Sequence, residues 1–226
     1  MIDWRAIDTV LLDMDGTLLD LHFDSHFWLD HLPRRYVELH RLDAATQERV
    51  RARIIREQGT LNWYSLAYWS RELGVDVLAL KREVQHLIGL RSDALDFLQW
   101  LKRAHPRVVL ATNADRESLA LKLPLTGLED FVDAIVSSAD LGVPKEAQTF
   151  WFALHEVEPF DPARTLFIDD NVAVLESARE FGIRHLLGIQ QPDSSRPEKE
   201  LEEFIALDRF AAILPRELPR DAEGDA

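Results

Sequence analysis

Residues 9–20 read Thr9-Val10-Leu11-Leu12-Asp13-Met14-Asp15-Gly16-Thr17-Leu18-Leu19-Asp20. The first four form a short run, apolar on both faces, of the kind found in buried parallel strands. It ends in acid. Ligands of open α/β sheets sit beyond the carboxyl ends of strands, so Asp13 falls on an edge suited to binding. Two carboxylates one residue apart there repel each other by about 4 kcal/mol at roughly 4 Å and an effective dielectric of about 20. A hard cation removes that cost, and oxygen ligands of this kind suit magnesium. Gly16 lets the backbone turn sharply and approach a ligand. A calcium loop is a poorer match: its third acidic position and its glutamate are missing, and a strand precedes the motif. Turn capping by the two aspartates is the plainer alternative.

Four further apolar runs share this character: Arg107–Ala111, Phe131–Val136, Thr165–Ile168 and the weaker His185–Ile189. Helical spacing lies between them. Ala147, Phe150, Trp151, Leu154 and Val157 share one face, and so do Val172, Leu175, Ala178 and Phe181, with Asn171 as N-cap and Gly182 as stop. Asp93–Ala104 and Arg116–Leu123 also read as helices. Strand–helix alternation predicts a right-handed, three-layer α/β domain with about five parallel strands. From about Asp20 to Ser92 the alternation fails. Helical patterns over Phe27–His40, Ala45–Arg56, Leu61–Leu73 and Val77–Ile88 are separated by Gly59, Gly74 and Gly89. The expected organisation is a core of residues 1–19 and 93–214, a helical insert of 20–92 hinged at both crossings, and a flexible acidic tail of 215–226.

The chain has 226 residues, with 26 Lys plus Arg, 40 Asp plus Glu and a formal charge of −14. Such a balance argues against binding a nucleic-acid polymer, whose phosphates need basic contacts. A small anionic substrate is still admitted if a metal ion or local cations offset the repulsion. Cysteine is absent, which excludes disulfides, thiolate nucleophiles and Cys-based zinc sites and fits a reducing compartment. The N-terminus lacks the basic-then-apolar pattern of a signal peptide, and no apolar run is long enough for a membrane span. A cytoplasmic protein is expected.

Three weaker signals accompany the aspartate motif. Thr112-Asn113 closes the second strand, where a hydroxyl and free N–H groups can hold a phosphate. Lys145, after Gly142-Val143-Pro144, can neutralise phosphate charge. Asp169-Asp170 closes the fourth strand and opens a helix. Alone, the first is more often a turn, the second usually a solvated surface residue, and the third equally a helix cap. A doubly wound sheet brings all of them to one edge, and four carboxylates, an ammonium and a hydroxyl together fit metal-assisted phosphoryl transfer.

These elements resemble the motifs of the haloacid dehalogenase superfamily of aspartyl-phosphate phosphatases, and the insert resembles its helical cap of the first type. The resemblance implies a Rossmann-like core of strand order 3-2-1-4-5. It implies Asp13 as nucleophile and metal ligand, and Asp15 as general acid and base whose main-chain carbonyl also ligates the metal. Thr112, with the nearby Gly16 and Asn113, then binds phosphoryl oxygens, Lys145 bridges nucleophile and phosphate, and Asp169 and Asp170 complete the shell of one magnesium ion. Dehalogenases of the superfamily lack the second aspartate; here Asp15 is present, which favours a phosphatase.

DMDGTLLDL with Phe23-Asp24 and Phe27-Trp28, then LNWYSLAYWS (61–70), TLFIDD (165–170), FGIR (181–184) and Pro192-Asp193-Ser194 resemble bacterial nucleotidases that act on GMP and IMP. The implied substrates are purine nucleoside 5′-monophosphates, with sugar phosphates or other small esters, or a phosphomutase reaction, as the alternative. Trp63, Tyr64, Tyr68 and Trp69 crowd into seven residues. Such rings stack on a purine, or simply pack a helical core. Trp63, Tyr64 and Arg91 are the expected substrate contacts of the insert and its hinge. His22, His26 and His31 lack the glutamate of a zinc-protease helix and are expected to pack or face solvent.

Overall fold

The structure is a computed structural model that describes residues 2–201 and 203–215; the expected tail, but for Pro215, lies outside the described residues. Six strands form one parallel sheet among the described residues: β1 (Thr9–Leu12), β2 (Arg107–Thr112), β3 (Ala134–Ser137), β4 (Thr165–Asp169), β5 (His185–Ile189) and β6 (Ile205–Leu207). Their order is 3-2-1-4-5-6. The expected five-strand order is therefore correct as far as it runs, and β6 extends it. That strand is three residues long at the edge with Ile205 exposed, and its apolar stretch Phe204–Leu207 is too short to mark it in the sequence. The third strand is shorter than Phe131–Val136 suggests: a 3₁₀ turn takes Leu128–Phe131, and pairing begins at Ala134.

Side-chain alternation divides the core. Val10, Leu12, Val108, Leu110, Leu166 and Ile168 point to one cluster, closed by Phe97, Leu98 and Leu101 of α7 (Ala94–Ala104) and Leu119 of α8 (Arg116–Thr126). Leu11, Val109, Ala111 and Phe167 point to the other. Phe150, Trp151 and Leu154 of α10 (Gln148–Val157), with Leu175 and Ala178 of α11 (Val172–Phe181), close that face. Both faces are covered, as a parallel sheet requires. A one-turn helix, α9 (Ser138–Leu141), follows β3.

Between β1 and α7 the chain is helical. A continuous run comprises α1 (His22–His26), a π-helical stretch Phe27–His31 and α2 (Leu32–His40). It is followed by α3 (Ala44–Arg56), α4 (Leu61–Tyr64), α5 (Leu66–Leu73) and α6 (Val77–Glu83). Two expected helices are thus shorter. The 61–73 run breaks at Ser65, whose hydroxyl caps α5 by accepting from Tyr68 N–H. The last one gives way after Glu83 to a 3₁₀ turn over Gln85–Leu87. The insert has its own apolar cluster around Phe23, Phe27, Trp28, Ile54, Trp69 and Val77, which meets the rest of the chain through Leu121 of α8. Its entry and departure are paired: Asp20 N–H donates to Gly89 O at 3.0 Å and Arg91 N–H to Leu18 O at 2.9 Å.

Candidate active site

The β1 direction continues one residue past the strand, because Asp13 N–H donates to Ile168 O at 3.0 Å. The backbone then turns through Gly16, at φ +91°, where Leu18 and Leu19 N–H both reach Met14 O. A Cβ on Gly16 would stand 2.8 Å from Asp170 Cγ. Glycine is needed for the approach of Asp170, and Gly16 is not among the cavity-lining residues. The structure shows it making room for the Asp170 carboxyl.

The ends of β1, β2 and β4 and the loop before α10 converge as the alternation predicts. Lys145 Nζ, buried, donates to Asp13 Oδ1 at 2.5 Å, Asp169 Oδ2 at 2.7 Å and Ala111 O at 3.1 Å. Asn113 Oδ1 holds Lys145 N–H at 2.9 Å, and Trp151 Nε1 holds Lys145 O at 3.1 Å, which fixes the loop that aims the ammonium. Thr112 Oγ1 accepts from Ala114 N–H at 3.0 Å and lines the cavity. Asp169 Oδ1 accepts from Asn171 N–H at 2.7 Å. Lys199 binds Asp170 through its main-chain oxygen and, at 3.2 Å, through Oδ2.

Asp13, Asp169 and Asp170 each place a carboxylate oxygen within 4.8 Å of the others. Asp13 Oδ2 is buried with no hydrogen-bond partner. All-oxygen, anionic donors around an orphaned oxygen are the set a hard divalent cation takes. Burial pushes Asp13 up to about 6 against the pull of Lys145, and the neighbouring Asp169 adds to the rise. Asp169 and Asp170 are likewise pushed up to about 6 by burial, opposed by Lys145 and Lys199 respectively. Burial alone would lower Lys145, but the two carboxylates outweigh it and keep it charged. The Asp15 carboxylate is not in this trio. It turns to Lys122 Nζ at 2.7 Å, so a metal ligand from Asp15 has to be its main chain.

These groups floor a cavity of about 600 Å³. Trp28, Trp63 and Tyr64 of the insert line it, with Trp28 and Trp63 near-parallel at 28° and 6.3 Å between ring centres. Tyr64 OH donates to Glu146 Oε1 at 2.9 Å, and Glu146 Oε2 accepts from Asn113 Nδ2 at 3.0 Å. The aromatic run therefore divides. Trp63 and Tyr64 face the cavity, whereas Trp69 is fully buried in the insert and, like Tyr68, does not line it. Arg91 lies outside the cavity lining: it binds the carbonyls of Gln191, after β5, and, at 3.3 Å, Asp208, after β6, and so ties the insert's departure to both. His31 is buried and bonds Glu83 Oε2 at 2.8 Å; His22 bonds Ser195 Oγ at 3.1 Å. Sequence reasoning missed Glu146, Lys199, Lys122 and Lys81. Only Lys122 left a trace, as a lysine between Leu121 and Leu123 in an apolar stretch.

The sequence pattern of haloacid dehalogenase-like hydrolases matches residues 7–182. The chain belongs to that family. It is an enzyme, a phosphatase of that family. It is 41% identical over 215 residues to the GMP/IMP nucleotidase YrfG of Escherichia coli (strain K12), covering 95% of this chain and 97% of YrfG; the Shigella flexneri protein of the same name matches equally. Among solved structures, a HAD phosphatase from Thermococcus onnurineus superposes with a TM-score of 0.72 at 18% identity, covering 88% of this chain and 93% of that one. CbbY from Rhodobacter sphaeroides, solved in complex with phosphate, superposes with a TM-score of 0.64 at 17% identity, covering 91% of this chain and 95% of that one.

Proposed function

We propose that the enzyme is a magnesium-dependent phosphomonoester hydrolase that works through an aspartyl-phosphate on Asp13, and that its substrates are GMP and IMP. The observation that carries this reading is the junction of two unlike surfaces in one cavity: the Asp13–Lys145–Asp169–Asp170 cluster at its floor, and the Trp28–Trp63 rings on the insert. One suits a phosphate, the other a purine. The identity to YrfG supports the choice of base. The helical insert, 20–92, acts as the cap.

A magnesium ion held by Asp13, Asp169, Asp170 and the Asp15 carbonyl supplies positive charge to the clustered carboxylates and the phosphoryl oxygens. The chain does the rest. Lys145 and Thr112 hold phosphoryl oxygens so that the ester P–O bond lies in line with the attacking Asp13 oxygen. An Asp13 carboxylate oxygen attacks phosphorus while the ester P–O bond breaks, and Asp15 gives its proton to the departing 5′-oxygen. Asp15, now a carboxylate, takes a proton from water. That water attacks the aspartyl-phosphate, the bond from phosphorus to Asp13 breaks, and orthophosphate leaves. Burial raises Asp15 to about 6, opposed by Lys122 and aided by Asp24, so near neutrality the residue can both give and take a proton.

The test is phosphate release from a panel of monoesters with magnesium. Asp13→Asn is expected to lose at least about 10⁴-fold in turnover, the combined scale of a lost nucleophile, with an unchanged circular dichroism spectrum. Wild-type activity in that variant would overturn the covalent route. A preference for sugar phosphates over GMP and IMP would overturn the substrate.

A further inference from the structure

The reaction as written uses neither Lys122, Asp24 nor Lys81, yet these residues form an unbroken chain that ends on Asp15. Lys122, from α8, reaches Asp15 Oδ1 at 2.7 Å and Asp24 Oδ2 at 2.5 Å. Asp24 Oδ1 accepts from Lys81 Nζ at 2.8 Å. The two lysine side chains are only 1% and 2% exposed. Lys81 is further held by three rings: its Nζ lies 5.1, 5.3 and 5.2 Å from the centres of Phe23, Phe27 and Trp28. Cations over ring faces are attracted by the ring quadrupole.

Stability alone does not account for such a chain. Desolvating four charges is costly, and apolar side chains of similar volume commonly serve as well or better. Position accounts for it better. General acid catalysis needs the carboxyl within hydrogen-bond reach of the departing oxygen, and a carboxylate on a turn is free to rotate unless something holds it. Lys122 has three donors and a compact charge, so it can hold the carboxylates of Asp15 and Asp24 together. Asp15 and Lys122 come from the sheet-bearing part of the chain; Asp24 and Lys81 come from the insert. The hold on Asp15 is therefore complete only with the insert docked.

We infer that Lys122 is a positioning residue for Asp15, and that Asp24, itself held by Lys81, supplies from the helical insert the charge that keeps Lys122 in place. The inference rests on the aspartyl-phosphate reading above and assigns that site a dependence on the insert's own residues.

The leaving group provides the test. The constant kcat/KM covers steps through departure of the alcohol. Nitrophenolate leaves without a proton, whereas the alkoxides of IMP and glycerol 2-phosphate need one from Asp15. In Lys122→Met, kcat/KM for both alkyl esters is expected to fall about 10²-fold more than for p-nitrophenyl phosphate, the lower end of what a positioned general acid contributes. Asp24→Asn, which retains both Lys122 and Asp15 but removes the charge that holds Lys122, is expected to shift the same ratio in the same direction by about tenfold, at the cost of one lost charged contact. An equal loss on all three esters, of any size, would mean a structural role only and would overturn the inference. If Lys122→Met does not fold, the ratio in Asp24→Asn decides by the same criterion. Failure of the underlying reading is separate: wild-type enzyme quenched in acid during turnover of ³²P-labelled ester would then carry no label on Asp13.

Discussion

Gly16 illustrates how little room a residue in this site has. Its φ of +91° is the left-handed region that an L side chain enters with strain, and the space a Cβ needs holds the Asp170 carboxyl at 2.8 Å. Gly16→Ala is expected to cost about 1–3 kcal/mol from the backbone conformation and to push Asp170 out of line with Asp13. Magnesium titrations of activity should show a weaker apparent affinity, with the melting temperature only modestly lowered. An unchanged magnesium dependence would mean that Asp170 is not a ligand. Asp24 shows the opposite balance. Burial alone would raise its carboxyl, but Lys122 and Lys81 outweigh it and hold Asp24 near 2, ionised at every working pH. It is a fixed negative charge between two buried cations.

At the level of elements, Asp115 is one of the side chains that join the insert to the sheet-bearing part. Asp115 caps α8 by accepting from Ser118 N–H at 2.9 Å with one oxygen, and with the other it accepts from Leu66 N–H at 2.7 Å, at the start of α5. Asp115→Ala removes both. Loss of a cap costs about 1 kcal/mol and loss of a charged hydrogen bond about 1.5–3 kcal/mol. Urea unfolding should therefore show a drop of about 2–4 kcal/mol, and KM for nucleotide should rise because Tyr64 and Trp63 lie directly before α5. A drop in stability with KM unchanged would separate the insert's docking from substrate binding. Elements were legible to the extent that their signal was local. β1, β2 and β4 are buried on both faces and read as such, and Asn171 and Gly182 bounded α11 where expected. β6 was illegible because its apolar stretch, Phe204–Leu207, is too short to be told from a turn or a helix end. The break at Ser65 was hidden because tertiary contacts make it. The convergence of Asp13, Lys145 and Asp169 followed from topology, since strand ends share an edge. The Lys122–Asp24–Lys81 chain did not, because a lysine's partner is chosen by packing between segments about a hundred residues apart.

Over the whole molecule, with its formal charge of −14, the buried carboxyls of the site are the ones whose ionisation costs most. Asp13, Asp15, Asp169 and Asp170 are all raised by burial to about 6 from an ordinary 3.8. A carboxyl raised in the folded state binds its proton more tightly there than in the unfolded chain, so its favourable contribution is full below about 4 and is lost as pH rises through about 6. Without metal, the four groups therefore weaken the fold between pH 4 and 7. His31 runs the other way: burial holds it below 6.5, and it favours unfolding as pH falls through its own range. Comparing the same protein with magnesium and with chelator at each pH cancels that opposing contribution. A divalent cation held by Asp13, Asp169 and Asp170, as proposed, would replace their protons and stabilise the fold by mass action. The rise in melting temperature on adding magnesium should thus be large at pH 7.5, where the trio is ionised and self-repelling, and small at pH 5, where protons already occupy it. Differential scanning calorimetry at the two pH values, with magnesium and with chelator, measures that difference directly. An equal rise at both would mean that the cation binds somewhere other than these three carboxylates.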